Sequence, residues 1–321
     1  MRDNIMILGA AGFIGTNLAV RFLKQNKKVI LFDKPGMKYT DIVEEAIKTE
    51  KACCIEGSFT EMGKENGWKD FTSSLEKVDT VYHLISTTCP TNSNQNAAIE
   101  MEDNVISTIY FLNACVDAKI KKVVFLSSGG TVYGKEHKGI CRENEEAFPI
   151  TMYGIQKLCI EKILYLYESM YNLDYRIIRL ANPYGPYQRP NGIQGVVTTF
   201  LWRTLHKMPI EVYGDGSVVR DYIYIEDAID GIINIAEKSG NYKLYNLGCG
   251  IGYTINDVIK TIENVTGIVP NIVMKPGRKV DVPVNILDIS RYQNDYGEAR
   301  MYTLTEGVAE LAEFFKKRSV E

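Results

Sequence analysis

The stretch Ile5-Met6-Ile7-Leu8-Gly9-Ala10-Ala11-Gly12-Phe13-Ile14-Gly15 is a short apolar run that ends in three glycines spaced three apart. Four apolar residues closed by a turn read as a buried strand. Residues 16–25, with Leu18, Phe22 and Leu23 on one side, read as a helix. Between a strand and a helix, glycine permits a tight turn and lets the backbone approach a pyrophosphate at the helix N-terminus.

Working outward, the next buried strand, 29–32, ends at Asp33, 24 positions after Gly9. A carboxylate there can accept hydrogen bonds from adenosine ribose hydroxyls and would repel a 2′-phosphate, which favours NAD over NADP. Further strands are expected at 52–55, 80–84, 123–126 and 176–180, with a long helical stretch over 97–118. Strands separated by helices imply an α/β fold, a doubly wound parallel sheet of the Rossmann type. Beyond Asn182 the sequence becomes rich in Pro, Gly and Tyr with short mixed elements, which implies a smaller mixed α/β lobe. The expected division is therefore 1–181 for the NAD-binding domain and 182–321 mainly for a substrate lobe, with some segments crossing back.

Composition narrows the function classes. The 37 Lys and Arg against 40 Asp and Glu give a formal charge of −3, so there is no general attraction to nucleic acid or an anionic membrane. An anionic substrate must be held by a few placed cations. Seven cysteines cannot all pair within one chain, and no Cys/His spacing suggests a zinc site, so no metal is expected. Free thiols fit a reducing compartment, and the N-terminus lacks the form of a signal peptide, so a cytoplasmic location is expected.

A second constellation is Tyr153-Gly154-Ile155-Gln156-Lys157. Residues four apart on a helix face the same way, so the phenol and the ammonium can share a cleft. Lowering a phenol from a pKa of about 10 to near 7 needs roughly 4 kcal/mol of differential stabilisation. A nearby lysine and an oxidised nicotinamide, both cationic, could supply it, leaving a phenolate able to act as general base on a sugar or alcohol hydroxyl. His83, His137 and His206 have no Ser/His/Asp arrangement around them, and His83 reads as a packed strand residue.

Gly9 to Gly15, Asp33, Tyr153 and Lys157 together resemble the extended short-chain dehydrogenase/reductases. More narrowly, the chain is similar to the NAD-dependent nucleotide-sugar epimerase/dehydratase group, most of all its UDP-glucose 4-epimerases. The likeness includes Val81-Tyr82-His83-Leu84, 104–108, Ser127-Ser128-Gly129-Gly130-Thr131-Val132-Tyr133-Gly134 and 182–186. It continues through Tyr213-Gly214-Asp215-Gly216, Arg220-Asp221-Tyr222 and 277–282.

The resemblance implies that Gly9, Gly12, Phe13, Ile14, Gly15, Asp33, Ser58, Leu84, Ser86, Asn104, Tyr153 and Lys157 bind NAD. It implies a nucleotide-sugar substrate, UDP-linked, at Asn182, Val196, Tyr213, Arg220, Arg278, Asp281 and Asn285. Arg220 and Arg278 match positions that clamp the diphosphate, for which the planar guanidinium fork is suited. Relatives place a Ser or Thr hydroxyl beside the catalytic tyrosine where this chain has Gly129. Ser128 and Thr131 flank the gap, and Thr131 is the preferred substitute. Dehydratases and decarboxylases of the family carry an acid before Val-Tyr-Gly, whereas this chain has Gly130-Thr131. That favours 4-epimerisation by transient oxidation at C4 and re-reduction. A dehydratase, a decarboxylase, a keto-sugar reductase and a non-catalytic NAD-binding sensor or RNA-binding relative stay open. Ser58 stands where relatives often have an adenine-binding Asp. Ile85-Ser86-Thr87-Thr88 lacks the small apolar residues and the lysine of some epimerases. The stretches 104–116 and 153–167 match helices that form a four-helix dimer interface in relatives, so a homodimer is expected.

Overall fold

The computed structural model describes residues 4–61, 69–90, 93–135, 139–190, 195–277, 282–298 and 300–318. The chain runs β1 (Asn4–Leu8), α1 (Phe13–Lys24), β2 (Val29–Asp33), α2 (Asp41–Lys48), β3 (Ala52–Glu56), α3 (Lys69–Leu75) and β4 (Val78–His83). After β4 come α4 (Ala97–Glu100), a π-helical turn (Met101–Ile106), α5 (Ser107–Asp117), β5 (Lys122–Ser128), β6 (Ile140–Cys141), α6 (Met152–Tyr171) and β7 (Asp174–Leu180). The remainder is β8 (Asn182–Tyr184), α7 (Val196–Leu205), β9 (Ile210–Tyr213), β10 (Val219–Tyr224), α8 (Ile225–Glu237) and β11 (Leu244–Leu247). It ends with β12 (Gly252–Thr254), α9 (Ile255–Thr266), β13 (Ile272–Lys275), β14 (Val284–Leu287), α10 (Ser290–Tyr296) and α11 (Leu304–Arg318). No helix among the described residues is long and apolar enough to cross a membrane.

Two compact units result: residues 128–150 group with 179–321, and 151–178 with 1–127.

The large sheet has the order β11-β7-β5-β4-β1-β2-β3. Its pairings from β3 through β5 are parallel, as expected of a doubly wound fold. The order reverses at β1, whose neighbours are β2 and β4, so the crevice for a nucleotide lies beyond the carboxyl ends of β1 and β4. There the two loops touch: a Cβ on Gly9 would lie 3.2 Å from the Ile85 side chain. Gly9 has φ +84°, and the Gly9 and Ala10 N–H groups donate to Phe32 O at 2.9 and 3.2 Å. Gly15 seats α1 on this turn, because any Cβ would meet Gly9 O at 2.2 Å and Ala10 Cα at 2.8 Å. The helix begins at Phe13, three residues before the expected start, since its N-cap Gly12 carries no side-chain signal.

The sheet is held by the residues that its apolar runs supply. Met6, Ile7, Leu8, Leu31, Tyr82 and Phe125 are fully buried, as are Leu18 and Phe22 of α1 and Phe111 of α5, with the Phe22 ring centre 5.5 Å from that of Tyr82. Each such side chain contributes roughly 1.5–3 kcal/mol of transfer free energy. The expected helix over 97–118 is interrupted by a π-helical turn over 101–106, which carries Asn104.

In the second unit β12-β10-β14-β6 form a mixed sheet, with β8 also paired to β10 and β13 paired separately to β9. β10 runs antiparallel to β12 but parallel to β14 and β8, which sets Arg220 opposite Asn285.

Candidate active site

In the first unit, α1 starts without a side-chain cap, so its first-turn N–H groups and the positive end of the helix dipole face the glycine turn. Asp33 is tied to the same turn. Its Oδ2 accepts from Ala11 N at 2.8 Å and its Oδ1 from Lys34 N at 2.8 Å. Each oxygen keeps a lone pair for a ribose hydroxyl. Backbone that only glycine can form, with an oriented carboxylate beside it, fits a dinucleotide.

Asn104 reaches back to the loop after β4. Its Oδ1 accepts from Thr87 N at 2.9 Å, and its Nδ2 donates to Thr87 Oγ1 at 2.7 Å and Glu100 O at 3.0 Å. Its amide is committed to holding that loop. Leu84 N donates to Leu8 O at 3.1 Å, and Ser86 Oγ to Thr88 O at 2.9 Å. Ser58, after β3, shares a hydrogen bond of 2.9 Å with Thr60.

Tyr153 and Lys157 lie on α6, whose start is fixed by three side-chain oxygens. Thr151 Oγ1 accepts from Gly154 N, Ser93 Oγ from Tyr153 N and Asn94 Oδ1 from Met152 N, at 3.2, 3.1 and 2.9 Å. Ser93 and Asn94 were not among the sequence candidates. They lie 60 and 58 residues from their partners, beyond the reach of any local capping pattern. Further along the helix, Gln156 Nε2 donates to the buried Glu100 carboxylate at 2.8 Å, and Thr88 Oγ1 donates to it at 3.1 Å. The loop after β4 and α6 are therefore stitched together.

The Lys157 ammonium, 4% exposed, donates to Leu126 O at 2.9 Å and lies 5.6 Å from the Tyr153 ring centre and 4.8 Å from that of Phe125. Burial lowers its pKa to about 8, opposed by the charge of Glu161. Burial, with the Cys89 thiol nearby, pushes the Tyr153 phenol up to about 12. The lowering expected from the sequence requires the lysine and the oxidised nicotinamide together; in the protein alone burial sets the direction for the phenol.

His83 is packed against Phe59, Phe111 and Phe125, with ring centres 5.0–5.5 Å away. Its Nε2 meets Thr108 Oγ1 at 3.0 Å, while that hydroxyl donates to Asn104 O at 2.5 Å. The Thr108 proton being used, Nε2–H of His83 is the donor. Burial first, then the Lys157 charge, lower its pKa to about 3, so it is neutral and structural. His206, stacked on Trp202, lies in the second unit, and His137 falls outside the described residues.

In the second unit the loop 128–131 is drawn together with Asn182 and Asn285. Asn285, 1% exposed, donates from Nδ2 to Gly129 O at 3.1 Å, and its Oδ1 has no partner among the described residues. A Cβ on Gly130 would lie 3.7 Å from Asn182 Oδ1, and Asn182 Nδ2 donates to Asp221 O at 2.9 Å. Thr131 Oγ1 is buried and also lacks a partner among the described residues, whereas Ser128 uses its carbonyl to accept from Val132 N at 3.2 Å.

The glycine at 129 has a steric reason. A Cβ there would lie 2.5 Å from Leu287 Cδ1 and 3.1 Å from Arg179 O, so Leu287 fills the space a hydroxyl-bearing side chain would take. Arg220 Nη1 donates to Val219 O and Val282 O at 2.8 and 2.6 Å, which fixes one edge of its guanidinium. Val196 opens α7, and Tyr213 ends β9 with its hydroxyl 3.4 Å from Glu211. Arg278 and Asp281 lie outside the described residues. Asp221, which no sequence argument gave a role, is a buried staple: its carboxylate accepts from Cys249 N, Gly250 N and Leu287 N at 2.9–3.3 Å.

Comparison with known proteins follows the same lines. Residues 5–248 match the NAD dependent epimerase/dehydratase family. A UDP-glucose 4-epimerase of Mycolicibacterium smegmatis is 28% identical over 98% of this chain and 99% of its own. An Escherichia coli dTDP-4-dehydro-6-deoxyglucose reductase is 29% identical over 97% of this chain and 96% of its own. The crystal structure of the Thermotoga maritima UDP-glucose 4-epimerase with UDP-glucose has a TM-score of 0.87 at 30% identity, covering 99% of this chain and all of that one.

The contact at Gly129 is directly testable. Gly129→Ser alone should cost about 1–3 kcal/mol by urea unfolding. In a chain already carrying Leu287→Ala, the same change should cost less than half as much. Equal costs in both backgrounds would show that Leu287 does not exclude the side chain.

Proposed function

The chain belongs to the NAD dependent epimerase/dehydratase family, and on that premise we propose that it is an NAD-dependent 4-epimerase of UDP-linked hexoses, glucose/galactose or their N-acetyl forms. The observation that carries this reading is the Tyr153/Lys157 pair on a helix locked at its start, in a chain with no carboxylate over 128–134. Without an acid there, elimination or decarboxylation lacks its proton-transfer group, and oxidation followed by re-reduction is the simpler chemistry.

When bound, oxidised nicotinamide supplies a hydride acceptor, and its positive charge favours the phenolate form of Tyr153. In this reading Tyr153 would take the proton of the sugar 4-hydroxyl during oxidation at C4 and would return it to the same oxygen during re-reduction. Lys157 provides the fixed cation beside the phenol throughout. The unpartnered Thr131 hydroxyl is the donor to the sugar oxygen, in place of the side chain that Leu287 excludes at 129. Asn182, Val196, Tyr213, Arg220, Arg278, Asp281 and Asn285 are assigned to the nucleotide sugar, with the two arginines on the diphosphate.

A second reading, reduction of a 4-keto sugar, is favoured by the similarity to the E. coli reductase and by the altered loop at Gly129. It uses the same Tyr153 and Lys157, with the phenol as acid.

We also propose a homodimer. Ile155, Leu166 and Met170 form one stripe of α6, the latter two 49% and 59% exposed, and Ile106 and Tyr110 stand exposed at and beside the start of α5. An apolar stripe of this kind on two helices suits burial against a second copy. Free thiols throughout suit a reducing compartment, the cytoplasm.

Purified protein incubated with UDP-, GDP- and dTDP-sugars without added NAD should interconvert UDP-sugar 4-epimers without change of mass. Tyr153→Phe should lower turnover by about 10²–10⁴-fold. Consumption of added NAD(P)H with a keto sugar, and no epimerisation, would establish the reductase instead. Light scattering at micromolar concentration should return twice the chain mass; the single-chain mass would refute the dimer.

A further inference from the structure

Glu161 is a buried carboxylate that the mechanism above does not use. It stands one turn beyond Lys157 on α6, so Tyr153, Lys157 and Glu161 form one stripe at four-residue spacing. It is 3% exposed, and its Oε1 accepts from Ser127 Oγ at 2.5 Å. Ser127 follows Leu126, whose carbonyl receives the Lys157 ammonium. Two adjacent residues at the end of β5 thus hold two adjacent turns of α6, one through the cation and one through the anion.

We propose that Glu161 is a positioning residue for the reaction, a buried counter-charge anchored by Ser127 that holds the Lys157 ammonium in place beside Tyr153. The proposal rests on the Tyr153/Lys157 reading of the site. A buried ammonium bonded to one carbonyl is poorly compensated, and a carboxylate one turn away supplies what solvent cannot. The groups around the pair do not compete for this role. From β4, His83 is neutral at physiological pH; from β5, Phe125 presents a ring; from the loop after β4, the Cys89 thiol acts on Tyr153. Glu161 is the group whose charge opposes the effect of burial on Lys157.

The sign follows from the direction of that effect. In the folded chain Lys157 loses its proton at about pH 8, below its ordinary value, so the unfolded chain binds more protons across the interval. Stability attributable to Lys157 therefore rises with pH through this window and is lost as pH falls to about 8. Removing the Glu161 charge should extend the window downward.

The test uses Glu161→Gln, which keeps the acceptor for Ser127 and removes the charge. In the active enzyme, the alkaline limb of the pH profile of kcat/KM should move down by about one pH unit, while Ser127→Ala, which leaves the charge, should move it less. A second readout needs no activity. Chemical unfolding at pH 7 of Glu161→Gln, Lys157→Met and the double variant should be non-additive, the double variant losing less stability than the two single variants together. Additive losses with an unmoved alkaline limb would make Glu161 a packing residue and overturn the proposal. A wild-type chain inactive on every nucleotide sugar would instead contradict the epimerase reading, and the unfolding cycle would still decide the role of Glu161.

Discussion

The Lys157 ammonium, bonded to Leu126 O at 2.9 Å with the Phe125 and Tyr153 ring centres 4.8 and 5.6 Å away, is a buried charge whose placement constrains the first unit. An isolated buried cation tends to lose its proton, and here burial does lower its pKa, to about 8. What keeps it charged at neutral pH is arrangement: a carbonyl at the end of β5, aromatic faces on either side and an anion one turn along α6. Each of these needs α6 to sit at a fixed height against β5. Ser93, Asn94 and Thr151 at the helix start, and Gln156 with Glu100 along it, supply that fixity. The Tyr153/Lys157 pair is therefore a property of two elements and the loop after β4.

The same loop is held at its base by Asn104, which the π-helical turn delivers, and it touches the glycine turn through Gly9 and Ile85. The glycine turn and the start of α6 are thus both tied to the loop after β4. In the second unit, Asp221 gathers the segment after β11 and the end of β14. That places Leu287 against Gly129 and leaves Thr131 with an unspent hydroxyl, which is the origin of the unusual serine-glycine loop.

Much of this was legible in the sequence, for identifiable reasons. Glycines at three-residue spacing before a helix and Asp33 at a strand end are local features. Tyr153 and Lys157 follow from helical period alone. What escaped the reading was long-range. The caps at Ser93 and Asn94 come from across the unit, and Leu287 meets Gly129 over 158 positions of sequence. Helical period puts Glu161 on the stripe of Lys157, but only the end of β5 shows that this stripe is buried. The start of α1 was misplaced because a glycine N-cap leaves no side-chain mark. Composition also cannot show that burial pushes the Tyr153 phenol up to about 12 in the protein alone, because burial is set by tertiary packing.

The central claim is that the sugar is oxidised at C4 and the same hydride returns to it. Incubation of the purified chain with UDP-glucose deuterated at C4, without added cofactor, tests it most directly. The account predicts UDP-galactose that keeps the deuterium at C4. Epimer that has exchanged its label with solvent, or no epimer from any UDP-hexose, would contradict it.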